Sequence, residues 1–405
     1  MCLQNTKNHT RGKPYGTNDN RTQENSQLFK RAGYGFFSSV PLRHITCIVL
    51  CAVIKGFSGK TTEMSEYSQN HRTTISHFLR NGKWDSERLQ SKIEDRSFSY
   101  VVQKSEEGNT PIFLSIDDTV NPKKKPSSKA RKPMEGTDFH HSNLLGKRVW
   151  GHQALAALIG TGDTALCYRL ERSGKRDGGK IEAVKEIAAS LPAVRRVSYA
   201  LMDSWYTCPA VIDAFAAKGF HTIGGLKTNR IIYPKGIRIS ISNFAAHHLS
   251  KTDFDLVTVG KKRFWVYRYE GNLNDIDNAV VLITYPEKAF GKEHALRAFL
   301  CTDVSLDCAT ILEYYRNRWG IEVFFKQQKN LLGFSGYQMR SARGIDRFWI
   351  ILTLVSMYCV IGGEQTVPLG DGVRSLRQDV LVDFARSFYE AGRRGIPFDA
   401  MPIGA

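Results

Sequence analysis

Acidic residues are the scarce class in this chain: 39 Asp and Glu stand against 57 Lys and Arg in 405 residues, a formal net charge of +18. That imbalance points to a polyanionic partner, nucleic acid first and an anionic membrane second. Closely spaced cysteines are also missing. The eight present (2, 47, 51, 167, 208, 301, 308 and 359) form no Cys-x2-Cys pair. This argues against a zinc site and fits reduced thiols in the cytoplasm, the expected location. Long hydrophobic runs are lacking as well. The apolar stretches around Cys47 to Val53 and Trp349 to Ile361 are too short or too interrupted for membrane spans, and read as buried core helices. No secretory leader is expected, because residues 1–36 are polar. What remains is ordinary: hydrophobic content of 42%, and length enough for two or three domains around a large core.

Composition and periodicity divide the chain. Residues 1–36 read as a flexible basic arm. Residues 37–105 read as short helices, HITCIVLCAVIKGF, KTTEMSEYS, HRTTISHFLRN and WDSERLQSKI. Two of them around a tight turn, the second carrying Arg72, Thr73, Thr74 and His77, suggest a DNA-binding helix-turn-helix; a plain helical subdomain is the alternative. Residues 106–225 are α/β. PIFLSIDDT alternates as a buried strand ending in acids, and the loop NPKKKPSSKARKP follows. VWGHQALAALIG and ALCYRLE read as paired strands, KIEAVKEIAASLP as a helix and VSYALMDSWY as a core strand. CPAVIDAFAAKGF is a helix closed by Gly219, and HTIGGLKT a strand. Residues 226–305 read as β-rich, including IRISIS, DLVTV, RFWVYRY and AVVLITY. Residues 306–363 hold one long helix, LDCATILEYYRNRWGIEVFFKQQKNLLG, capped by Asp307 and ended by Gly333, then a buried helix. Gly320 inside the long helix costs about 1 kcal/mol against Ala, which suggests tight packing there. Residues 364–405 are a polar tail with one helix.

The segment YRNRWGIEVFFKQQK, residues 315–329, is the most informative. On one helix its Tyr315, Arg318, Glu322 and Lys329 fall within about 60° of one face. The rest of the helix is rich in apolar residues. A narrow stripe of phenol, guanidinium, carboxylate and ammonium suits a metal ion beside a phosphate backbone. The stripe resembles the Tyr-x2-Arg-x3-Glu-x6-Lys signature of DDE insertion-sequence transposases, and matches it at all four positions.

That resemblance implies a ribonuclease-H-like α/β core interrupted by a β-rich insertion, with helical regions on either side. It implies DNA cut and rejoined by phosphoryl transfer, with two Mg²⁺ ions (Mn²⁺ substituting) held by carboxylates. Three acids fit the family's order: Asp118 ending SIDDT, Asp203 ending YALMDSWY, and Glu322. Asp117 is adjacent to Asp118 and points the other way if the strand continues. The family's roles put Tyr315, Arg318 and Lys329 on DNA phosphates, Arg gripping bidentately and Lys as a point charge. The basic loop Lys123, Lys124, Lys125, Lys129, Arg131 and Lys132 is expected to touch the DNA backbone. Trp205 and Tyr206 are candidates to stack on bases, with core packing open for either. Trp265 lies in the insertion, where related enzymes capture a flipped base. His140, His141 and His152 lack ligand spacing, and His247–His248 reads as surface. A homodimer on two paired DNA ends follows from cut-and-paste chemistry, with no membrane partner. An inactive DNA-binding derivative and a structure-specific nuclease of the same fold are the competing readings.

Overall fold

Four helices open the described part of the chain: α1 (Ser39–Val53), α2 (Thr61–Glu66), α3 (Arg72–Asn81) and α4 (Ser86–Gly108). The computed structural model describes residues 38–397, apart from 55, 67–69, 128–132, 143–144, 174–178 and 364–365. The basic arm and Lys129, Arg131 and Lys132 lie outside the described residues. The helix boundaries have local causes. The His71 side chain accepts from the Thr73 N–H at the start of α3, and Asp85 accepts from Arg88 N–H at the start of α4. Asn109, at φ 46°, ends α4 in the left-handed region.

Six strands and two helices follow: β1 (Ile112–Pro122), β2 (Asp138–Ser142), β3 (Lys147–Thr161), β4 (Thr164–Arg172), α5 (Gly179–Ser190), β5 (Ser198–Met202), α6 (Pro209–Ala216) and β6 (His221–Leu226). β1 pairs antiparallel with β3 and parallel with β5; β5 runs parallel to β6. The apolar alternation of β1 explains its central position. Ile112, Leu114 and Ile116 are fully buried in the main core, and each contributes about 1.5–3 kcal/mol by leaving water. Phe113 points the other way, into a second cluster with Tyr199, Leu201, Ile223, Ile311 and Leu312.

The remainder comprises β7 (Ile231–Ile232), β8 (Ile239–Ser240), α7 (Ile241–His247), β9 (Asp255–Val259), β10 (Lys262–Gly271), β11 (Ala279–Pro286), β12 (Arg297–Cys301), α8 (Cys308–Arg316), α9 (Trp319–Leu331), α10 (Ala342–Ile361) and α11 (Leu369–Arg393). The β-rich stretch is joined to the main sheet: β12 pairs antiparallel with β6, and the order runs β2-β3-β1-β5-β6-β12-β11-β10-β9, with β4 on β3. IRISIS is mostly not a strand. Ser240 caps α7 by accepting from the Asn243 N–H, so the segment turns helical after two residues. α10 is long and apolar enough to cross a membrane, but 78% of its apolar window is buried within the protein, as a core helix requires.

The long signature helix is two. α8 stops at Arg316 and α9 starts at Trp319, joined by tight turns in which Arg318 N–H bonds Tyr315 C=O and Ile321 N–H bonds Arg318 C=O. Asp307 caps α8 by accepting from the Ala309 and Thr310 N–H groups. Gly320 does not mark tight packing: a Cβ there would meet no atom within 4 Å.

Candidate active site

The pleat of β1 separates the two adjacent acids. Asp118 shares a face with Leu114 and Ile116, while Asp117 shares the face of Phe113. The Asp118 carboxylate is fully engaged on its side. Lys180 of α5 lies 3.1 Å from Oδ1, the Tyr206 hydroxyl donates to the same oxygen, and the Gln153 amide donates to Oδ2. On the other side Arg318 links two carboxylates. Its Nη1 is 2.9 Å from Asp117 Oδ2 and its Nη2 2.7 Å from Glu322 Oε1. Arg318 thus links Glu322 to Asp117, while Asp118, the expected first acid, lies on the opposite face of β1. The reason is geometric: a one-residue step along a strand reverses the side chain.

Asp203 sits immediately after β5, its Oδ1 accepting from the Trp205 N–H at 2.9 Å and the Tyr206 N–H at 3.3 Å. Burial pushes the Asp117 carboxyl up to about 6; Arg318 opposes this, and the nearby Asp203 and Asp118 charges add to it. Burial disfavours the charge on Arg318, yet Tyr315, Asp117 and Glu322 outweigh it and hold the guanidinium charged. Tyr315 is itself pushed up, first by burial and then by Asp203 and Asp117, with Arg318 opposing. Its ring packs edge-on against Phe299, 4.8 Å between centroids. Lys329 donates to Thr119 Oγ1 at 2.7 Å and to the Val120 carbonyl at 3.3 Å, and burial lowers its pKa. Thr119 lies two residues from Asp117, so the ammonium lies along the same face of β1.

Tyr315, Arg318, Glu322 and Lys329 thus gather along one edge of β1 with Asp117 and Asp203, although two helices carry them. The Lys123 ammonium donates inward to the Ser335 and Tyr337 carbonyls and lies 3.5 Å from the Tyr337 ring centroid. Lys124 and Lys125 are exposed. Tyr206 is buried and Trp205 is 55% exposed, which divides that pair. Trp265 is half-buried against Phe290. His152 is buried, bonded to the Tyr337 hydroxyl and the Glu135 carbonyl, while His247 and His248 are exposed.

Sequence reasoning missed Lys180 and Gln153. Nothing local marks them, since they reach Asp118 from a helix and a strand far along the chain. Strand alternation was the signal available for Asp117. Among the described residues no three His, Cys, Asp or Glu side chains are close enough together to hold a metal ion. The donor chemistry nevertheless suits a hard cation: Asp117 and Glu322 offer carboxylate oxygens to one positive group already, and Asp203 is beside them. The three acids come from a strand, the residue after a strand and a helix. A family model described as transposase DDE domain matches residues 110–358. No curated protein matches the chain.

Proposed function

This chain belongs to the family of transposase DDE domains, and on that premise we propose that it cuts DNA at the ends of a mobile element and transfers the freed strands to target DNA. DNA is the partner that family membership implies, and the charge of +18 agrees with it. The strand order β4-β3-β1-β5-β6, with β3 antiparallel and β5 and β6 parallel to their neighbours, supports a ribonuclease-H-like core. The observation that carries the reading is the single guanidinium shared by Asp117 and Glu322 beside Asp203. It favours Asp117 as the first acid of the set, in place of Asp118.

In this reading Asp117, Asp203 and Glu322 would hold Mg²⁺ or Mn²⁺. Bound there, the ions would activate an oxygen nucleophile and stabilise the leaving oxygen. The chain's own groups position the DNA. Arg318 turns from the carboxylates to a phosphate, which it can grip through two N–H groups. Tyr315 donates a hydrogen bond to phosphate, and Lys329 supplies a fixed charge near Thr119. Asp118, held by Lys180, Gln153 and Tyr206, fixes the middle of β1, where Asp117 sits on the other face. Catalysis is mostly positioning and charge neutralisation, with no covalent enzyme intermediate. Outside the core, α3 presents Arg72, Thr73, Thr74 and His77 to solvent and buries Ile75, Phe78 and Leu79, as a recognition helix does. Joining two ends at once calls for a homodimer.

The test is nicking of DNA carrying the element's flanks, with Mg²⁺ or Mn²⁺, by wild type and Glu322→Gln. Cleavage at the boundary by wild type alone is the expected result. Equal cleavage by both proteins removes Glu322 from the site and overturns the mechanism.

A further inference from the structure

Trp205 stands apart from its neighbour in exposure. Its indole is 55% exposed, whereas the next residue, Tyr206, is fully buried. Two ammonium groups from separate parts of the fold attend the ring. Lys180 of α5 lies 4.8 Å from its centroid, and Lys227, just past β6, lies 5.3 Å from it. The backbone beneath is fixed, because the candidate ligand Asp203 accepts the Trp205 N–H at 2.9 Å and Tyr206 is anchored on Asp118. The ring is therefore held outward on a firm turn, two residues from a candidate acid.

A large exposed aromatic attended by two cations has the chemistry of a nucleobase platform. Every base presents a π face, and the two ammonium groups can turn from the ring to the flanking phosphates. A base within a duplex is already stacked on both neighbours, so such a ring selects a base that has lost its pairing. Lys180 ties the platform to the site, since the same ammonium pairs with Asp118 at 3.1 Å. Lys227 is exposed and free to follow the strand.

We propose that Trp205 is a stacking platform for an unpaired nucleobase of the DNA strand lying beside the candidate acids, with Lys180 and Lys227 on the adjacent phosphates. This deepens the transposase reading and rests on it. The base would be unpaired where a strand has been nicked or opened, so the platform acts after the duplex is disturbed.

Fluorescence anisotropy of the full chain with labelled oligothymidylate, and with a blunt duplex of equal length, tests it. Trp205→Ala is expected to weaken oligothymidylate binding about 10-fold or more, with Trp205→Phe recovering most of the loss and duplex affinity changing by less than about 2-fold. Equal weakening on both probes, or none on either, overturns the platform. The two readings fail separately. Wild type that binds neither probe removes the DNA reading itself, whereas tight binding of both that ignores Trp205→Ala removes only the platform. The ring is exposed, so an unchanged thermal midpoint verifies that the variants fold.

Discussion

Arg318 meets Asp117 at 2.9 Å, whereas the neighbouring Asp118 pairs with Lys180 on the other face of β1. Asp117→Asn is expected to abolish metal-dependent nicking. Asp118→Asn, which weakens the contacts to Lys180, Gln153 and Tyr206 that fix the middle of β1, is expected to lower it about 10- to 100-fold. Nicking rates of the two variants at saturating Mn²⁺ check the order. The reverse order returns the first ligand to Asp118.

Without bound metal, Arg318 is the counter-charge for a largely buried carboxylate. Side-chain exposures at this pair are 16% and 18%. Arg318→Ala should therefore destabilise the protein by about 3 kcal/mol in chelator, and Asp117→Asn should recover most of that in the double variant. Denaturant midpoints for the four proteins measure the coupling. Simple additivity would show that the pair does not matter to stability.

The basic loop separates into two kinds of lysine. Lys124→Gln and Lys125→Gln should each reduce the salt dependence of duplex binding by about one unit of slope. Lys123→Gln should leave the slope alone and lower stability, because its donors serve the Ser335 and Tyr337 carbonyls. Binding titrations across a range of salt concentrations discriminate them, and a slope change at Lys123 would place its ammonium on DNA.

His152 makes stability sensitive to acid. Burial lowers its pKa from 6.5 to about 4, so the folded state resists protonation that the unfolded chain accepts. The contribution is intact above pH 6.5 and is lost as pH falls towards 4, at up to about 1.4 kcal/mol per unit. His152→Gln should flatten the stability curve over that window. A curve of the same slope in the variant would assign the effect elsewhere.

Arg347 is 1% exposed, and its guanidinium donates to the Phe78, Leu79, Gly82 and Trp84 carbonyls while lying 4.5 Å from the Trp84 ring centroid. It closes the C-terminal end of α3 from within α10. Arg347→Met should cost about 3 kcal/mol or more, since several carbonyls lose their donor in the interior. A loss below about 1 kcal/mol in chemical denaturation would mean that water replaces it.

The acid-bearing blocks were legible because each carries its own pattern. Ile112, Leu114 and Ile116 alternate into a strand, and the offsets of Tyr315, Arg318, Glu322 and Lys329 define a stripe. What failed depended on partners far along the chain. Alternation puts Asp117 and Asp118 on opposite faces of β1, but only the placement of the turn before α9 decides which face Arg318 meets. The break before Trp319 was hidden since Asn317 and Arg318 keep right-handed helical dihedrals, at φ −60° and −56°. Lys123 read as part of a charged loop because its partners follow α9. The helical turn after Ser240 was missed for a local reason instead: a serine cap ended IRISIS before its alternation could matter.

The pairing of β6 with β12 also bears on how the chain is made. β6 is complete at Leu226, but its antiparallel neighbour begins only at Arg297. At ribosomal speeds of about 5–20 residues per second, the edge of the central strands stays open for seconds while the intervening segment emerges. An unsatisfied strand edge of that kind recruits other chains. Truncated products ending between these strands are therefore expected to aggregate, and slow decoding across residues 227–296 to lower the yield of folded protein.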